Sequence, residues 1–212
     1  MELGLNNKKV LITGGSKGIG LACARAFMAE GARVAIVSRS RENLEQAKRT
    51  LGLVYTVAAD LIDAAAAAAM VEQVEKEFGA IDVLVNSAGA AKRTNADDLT
   101  PAAWRAAMDA KYFTYINVID PLVKRMAARG SGVIVNIIGA GGKIASPIHL
   151  AGGSANAALM LATAGLANAY AAKGVRVVGI TRGSPTPAAC RRASRPTRSA
   201  KAFPRKKRSR AR

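Results

Sequence analysis

Thr13-Gly-Gly-Ser-Lys-Gly-Ile-Gly20 follows the apolar run Val10-Leu-Ile12 and opens into Leu21-Ala-Cys-Ala-Arg-Ala-Phe27. This order reads as a strand, a glycine-rich turn and a helix. Glycine lets the backbone come close to a phosphate, and a helix N-terminus offers unbonded N–H groups and a partial positive charge. The stretch therefore predicts a site for the pyrophosphate of a dinucleotide, with Gly14, Ser16, Lys17, Gly18, Ile19 and Gly20 around it.

The same alternation continues outward from that turn. Short β-branched runs at 8–13, 33–38, 53–58, 81–86, 132–138 and 175–180 read as strands buried on both faces. Between them, 18–30, 41–51, 62–78, 100–129 and 154–173 read as helices, with Gly31, Gly79, Gly130 and Gly174 just past four of their ends. Thr100-Pro101 supplies a cap and an N1 proline, and Ala64–Ala69 extends its helix because alanine is the best helix former. Repeated strand–helix units predict an α/β fold: a doubly wound parallel sheet between helical layers, with its ligand at the carboxyl ends of the strands.

Composition narrows the class. The chain has 212 residues, half of them hydrophobic, which suits one domain with a sizeable core. No apolar run reaches the roughly 18 residues of a membrane span without interruption, and the first residues do not read as a signal peptide. Cys23 and Cys190 have no metal-ligand or redox spacing, so no metal is expected and a reducing cytoplasm fits. The net charge of +18 is uneven: residues 181–212 hold 12 Lys or Arg and no acid, while 1–180 hold 20 basic and 14 acidic residues. The charge thus belongs to a tail with prolines at 185, 187, 196 and 204 and no apolar period, for which disorder is expected. A basic arm for nucleic acid is the weaker reading, since the tail has neither interleaved aromatics nor an amphipathic period.

Residues 8–180 resemble the short-chain dehydrogenase/reductase family. The resemblance rests on Thr13, Gly14, Gly18 and Gly20 in the first turn, on Asn86-Ser-Ala-Gly89 at the end of the fourth strand, and on Asp60 after the third. It implies a Rossmann-type sheet and a nicotinamide dinucleotide held additionally by Leu61, Asn86, Ala88 and Gly89. It also implies a small carbonyl or alcohol substrate, and oligomers formed through the fourth and fifth helices. The second strand ends in Ser38-Arg39-Ser40-Arg41 with no acid, and Lys17 lies in the glycine turn. A basic residue at that strand end suits the 2′-phosphate of NADP rather than the free ribose of NAD.

The resemblance also implies a proton-transfer set of serine, tyrosine, lysine and asparagine. By position these fall on Gly139, Gly152, Asn156 and Lys111, and no Tyr-x-x-x-Lys occurs anywhere in the chain. Glycine cannot donate or accept a proton through a side chain, so the family's usual mechanism is not expected. Ser146, His149 and Ser154, near the vacated positions, are candidate substitutes, and Lys111 could supply positive charge; a lone loop histidine is more often structural. A non-catalytic dinucleotide-binding protein or an inactive product is the competing expectation.

The family pattern continues past the sixth strand with a Pro-Gly loop, a substrate-covering segment and a last strand. Here composition breaks at Thr181. Thr181–Pro185 can be coded so that one added adenine gives Asn-Pro-Gly-Leu-Thr, a family-like continuation, and on that choice of codons 181–212 is read as an out-of-frame end that replaces the family's last segment. An exposed sheet edge and marginal solubility are the expected cost.

Overall fold

The computed structural model describes residues 3–90 and 92–182. Six strands form one parallel sheet: β1 (Lys9–Thr13), β2 (Arg33–Ser38), β3 (Tyr55–Ala58), β4 (Val83–Asn86), β5 (Gly132–Gly139) and β6 (Val175–Arg182), in the order β3-β2-β1-β4-β5-β6. The order reverses between β1 and β4, where Thr13 stands in register with Asn86. That is the switch point at which an open α/β sheet leaves a crevice.

The helices are α1 (Gly18–Ala29), α2 (Arg41–Leu51), α3 (Ala64–Glu77), α4 (Pro101–Met108), α5 (Thr114–Ala128) and α6 (Leu150–Tyr170). They divide the core by face. Leu44 and Ala47 of α2 and Ala24 of α1 pack on Val10, Ile12, Val34 and Ile36. On the other face, Met70, Val74, Tyr115, Leu122 and Leu159 pack on Leu11, Ala35, Leu84 and Ile134. At β5 and β6 only the second face is covered by helices among the described residues. On the first, Val133, Val135 and Ile137 are partly buried, while Val178 and Ile180 are exposed.

Local chemistry explains most element ends. Ser40 Oγ accepts from Asn43 N–H at 3.2 Å, Asp63 accepts from Ala65 and Ala66, and Thr100 Oγ1 accepts from Ala103, each at a helix start. Because Asp63 is the cap, the third helix begins at Ala64, two residues after the predicted start.

Four sequence expectations are corrected. The helix predicted over 100–129 is interrupted: residues Asp109–Phe113 form one π turn between α4 and α5. The last helix begins at Leu150 rather than 154, because Gly152 and Gly153 are buried in tight packing and do not act as breakers. The segment Leu150–Lys173 is also long and apolar enough to cross a membrane by length and composition, contrary to the expectation of no such run; here Ala155, Leu159 and Thr163 are buried in the core. The sixth strand, predicted to stop at 180, stays paired through Thr181 and Arg182, opposite Ile138 and Gly139. The break in composition at Thr181 is therefore not a break in the sheet at that residue. The tail from 183 onward lies outside the described residues.

Candidate active site

The predicted dinucleotide turn is built by close packing. A Cβ on Gly20 would lie 2.3 Å from Gly14 O, and one on Gly14 would lie 2.8 Å from Ala88 Cα. Gly18 has a φ of +53° and open space where a Cβ would go, so it leaves room above the turn rather than filling it. Lys17, at the N-cap of α1, makes no side-chain cap, and the first turn of α1 has no acid. The helix thus keeps its N–H groups for another acceptor.

Two clefts meet at Gly89 and Ala90. The first is lined by Gly14, Ser38, Arg39, Asp60, Ala88 and Gly89, among others. Leu61 also lines it, though its side chain is in the core, so the backbone is what the cleft can use. Asp60 Oδ1 accepts from Ile62 N–H at 3.1 Å, which steadies the turn after β3. The second cleft holds Ile19, Ser87, Lys111, Gly139, His149 and Asn156. Seven of the twelve residues predicted to hold a dinucleotide line one cleft or the other, while Ser16, Lys17, Gly18 and Gly20 form the α1 entrance beside them.

Asn86 is the exception. Its side chain is fully buried and lines neither cleft. Thr13 Oγ1 donates to Asn86 Oδ1 (3.2 Å), Asn86 Nδ2 to Asn136 Oδ1 (3.0 Å), and Asn136 Nδ2 to Thr163 Oγ1 (3.0 Å). Thr13 Oγ1 also accepts from the Ser87 and Ala88 amides, both at 3.2 Å. A buried polar chain thus joins β1, β4, β5 and α6 and fixes the bend into Ser87-Ala-Gly89; with every member bonded it is rigid.

The π turn places Lys111. It brings the Ala110 carbonyl to the Ala90 amide (3.3 Å) and sets Lys111 against Gly89. Lys111 Nζ donates to Tyr115 Oη at 2.6 Å and to the Ile137 carbonyl at 3.1 Å, and Tyr115 Oη donates to the same carbonyl at 2.7 Å. Burial pushes the Tyr115 phenol well above its ordinary range, so it stays neutral beneath the ammonium. The sequence gives no sign of this arrangement, because helix propensity does not mark a single π turn.

Gly139 ends β5 and Gly152 lies in the first turn of α6. Asn156 joins them: its Oδ1 accepts from Gly139 N–H at 2.9 Å, and its Nδ2 donates to Gly152 O at 2.8 Å. The half-buried His149 ring fills the space beside Gly152, where a Cβ would sit 2.2 Å from Cε1. Ser146 and Ser154 lie apart from Lys111, in a neighbouring groove with Lys143. Among the described residues no three His, Cys, Asp or Glu side chains gather as metal ligands would.

The sequence pattern of short chain dehydrogenases matches residues 8–197. The chain belongs to the short-chain dehydrogenase/reductase family. That match runs past Thr181. The D-threitol dehydrogenase of Mycolicibacterium smegmatis is 34% identical over 177 residues, covering 82% of this chain and 68% of that protein. The 3α-hydroxysteroid dehydrogenase of Mediterraneibacter gnavus is 34% identical over 142 residues, 64% of this chain and 57% of its own length. The chain thus spans little more than half to two thirds of these two relatives. Among solved structures of the family, an NAD+-bound xylitol dehydrogenase superposes with a TM-score of 0.81 at 28% identity, covering 84% of this chain and 71% of that one. An NADPH-bound short chain oxidoreductase from Pseudomonas aeruginosa PAO1, described as containing an atypical catalytic center, superposes at 0.80 with 29% identity, covering 88% and 75%. The family fold accepts either nicotinamide dinucleotide.

Proposed function

We propose that this family member binds NADP(H) and acts as a carbonyl or alcohol oxidoreductase on a small molecule, without the family's usual proton-transfer set. The observation that carries the cofactor reading is Arg39. It lines the first cleft at the end of β2, where a guanidinium can pair with a 2′-phosphate and where β2 offers no carboxylate for a ribose hydroxyl. Lys17 stands at the α1 entrance on the pyrophosphate side. Gly14 and Gly20 let the turn pack closely and Gly18 leaves its backbone open to the phosphates, Asp60 and Leu61 border the adenine end, and Ala88 and Gly89 border the route into the second cleft.

The bound nicotinamide supplies or accepts a hydride. The chain's part is to hold it at the second cleft, which Lys111 helps to line. The aligned serine, tyrosine and lysine positions are Gly139, Gly152 and Asn156, and the hydrogen bonds of Asn156 to both glycines close that region. This bonding also favours a second reading, a dinucleotide-binding protein without turnover.

Titration with NADPH and with NADH, followed by nucleotide fluorescence, tests the proposal. NADPH is expected to bind at least tenfold more tightly. Equal affinities would remove the NADP reading, and no binding of either would remove the cofactor reading. Binding without oxidation of NADPH across a panel of aldehydes and ketones would favour the second reading.

A further inference from the structure

We infer that His149 is the group that meets the substrate oxygen in the second cleft, as a neutral imidazole donating from Nε2. The inference rests on the oxidoreductase reading and adds to it the residue that takes over at the oxygen.

Three observations converge on this ring. First, its place is made for it. A Cβ at residue 152 would lie 2.2 Å from Cε1, and one at residue 141 would lie 2.9 Å from Cδ2, so two glycines keep the ring's volume clear. Any side chain at 152 would have to leave the helix through the space the ring occupies. Second, His149 borders the second cleft as well as the groove beside it. It lines the same cleft as Ile19, Gly89 and Lys111, the cleft that begins where the dinucleotide groove ends. Third, the ring does no visible structural bonding. His149 is the N-cap residue of α6 and makes no side-chain cap, and its Nδ1 is buried without a hydrogen-bond partner.

The buried Nδ1 decides the proton's position. A neutral imidazole has one N–H and one bare nitrogen. Buried N–H groups without an acceptor are rarer in folded proteins than under-satisfied buried acceptors. The bare nitrogen is therefore Nδ1, and Nε2 carries the proton. The charged residues that line the cleft and groove bordered by His149 are Lys111 and Lys143; Gly141 and Gly152, which pack against its ring, carry no charge.

In the reducing direction the substrate carbon gains a hydride from NADPH and the carbonyl π pair moves onto oxygen. The Nε2–H donates a hydrogen bond to that oxygen as its charge grows, and the proton that completes the alcohol comes from water. A neutral histidine can polarise a carbonyl in this way without changing its own charge.

His149 is the chain's single histidine, so its ring nitrogens can be observed by 15N NMR without assignment. The free protein at neutral pH is expected to show a protonated Nε2 and a bare Nδ1, and both signals should move when NADPH saturates the site. The Nδ1–H tautomer, or signals that do not respond to NADPH, would overturn the inference. Reduction of phenanthrenequinone gives the kinetic arm. His149→Leu should lower kcat by about a hundredfold or more, with NADPH affinity kept, and His149→Gln, which retains an N–H donor, should recover part of the loss. Wild-type rates in His149→Leu would overturn the inference, as would NADPH binding by the wild-type chain without reduction of the quinone; either leaves the cofactor reading standing. Absence of NADPH binding by the wild-type chain would remove both.

Discussion

Asn156 accepts a 2.9 Å hydrogen bond from the backbone N–H of Gly139, across the gap between the end of β5 and the second turn of α6. The same side chain donates to Gly152 O, so one buried amide satisfies backbone groups at both side-chain-free positions. Asn156→Leu would leave the Gly139 amide without its partner in a part-buried place. The expected loss is about 1–3 kcal/mol of stability, read as a lower urea midpoint at unchanged slope. A variant as stable as the parent would mean that water replaces the amide.

His149 and Gly152 are coupled by volume. Gly152→Ala places a methyl carbon where the imidazole now lies, and the ring must move or the helix shift, at a cost of roughly 1–3 kcal/mol. His149→Ala should open room for that methyl group. In a double-mutant cycle the pair is then expected to lose less stability than the sum of the singles, by about 1 kcal/mol or more. Strict additivity would show that the ring has an alternative site at no cost.

Arg39 gives the specificity prediction. Arg39→Ala should weaken NADPH binding about tenfold or more, near 1.4 kcal/mol, and leave NADH nearly unchanged. Arg39→Asp should go further and reverse the preference, since a carboxylate repels the 2′-phosphate and can accept from the ribose hydroxyl. Calorimetric titration with both nucleotides checks each variant. An equal loss for the two cofactors would place Arg39 in general phosphate attraction.

How far the sequence could be read follows from where the information lies. The parallel sheet and the glycine turn were legible because strand periodicity and turn glycines are local, whereas the strand order is a tertiary fact that the structure supplies. The ends were less legible: β6 continues through Arg182 because its partner β5 continues to Gly139, a tertiary fact. The π turn at Asp109–Phe113 was hidden in a stretch of ordinary helix formers. The bonds of Asn156 and the seat of His149 join residues on different elements, and no spacing announces them. Asn86 was picked out as a cofactor residue, yet its side chain serves the buried chain from Thr13 to Thr163.

Tyr115 makes the fold sensitive to alkali. Its phenol is buried, and burial raises its ionisation above the ordinary value of 10.0. The folded state therefore binds the phenolic proton more tightly than the unfolded state does. The associated stability is complete below about pH 10 and is lost as pH rises toward the folded value. Thermal melts should fall above that pH, and Tyr115→Phe should flatten the fall while losing the Lys111 and Ile137 hydrogen bonds at neutral pH. An unchanged alkaline slope in Tyr115→Phe would assign the loss to other groups.

The first face of β5 and β6 gives the last prediction. Val178 and Ile180 are exposed beside Val135 and Ile137, and among the described residues nothing pairs with the outer edge of β6. An open strand edge with an apolar face invites pairing with another chain. The 212-residue chain is expected to self-associate as concentration rises, and Ile180→Lys should suppress this by placing a charge on that face. Light scattering across a concentration series compares the two. If the residues from 181 onward are out of frame, the neighbouring frame of the gene should encode a segment that resembles the family's last helix and strand. Joined to residues 1–180, that segment would cover the face, raise the melting temperature and remove the concentration dependence. A monomeric parent chain with a sharp, high melt would show that its own end already covers β6.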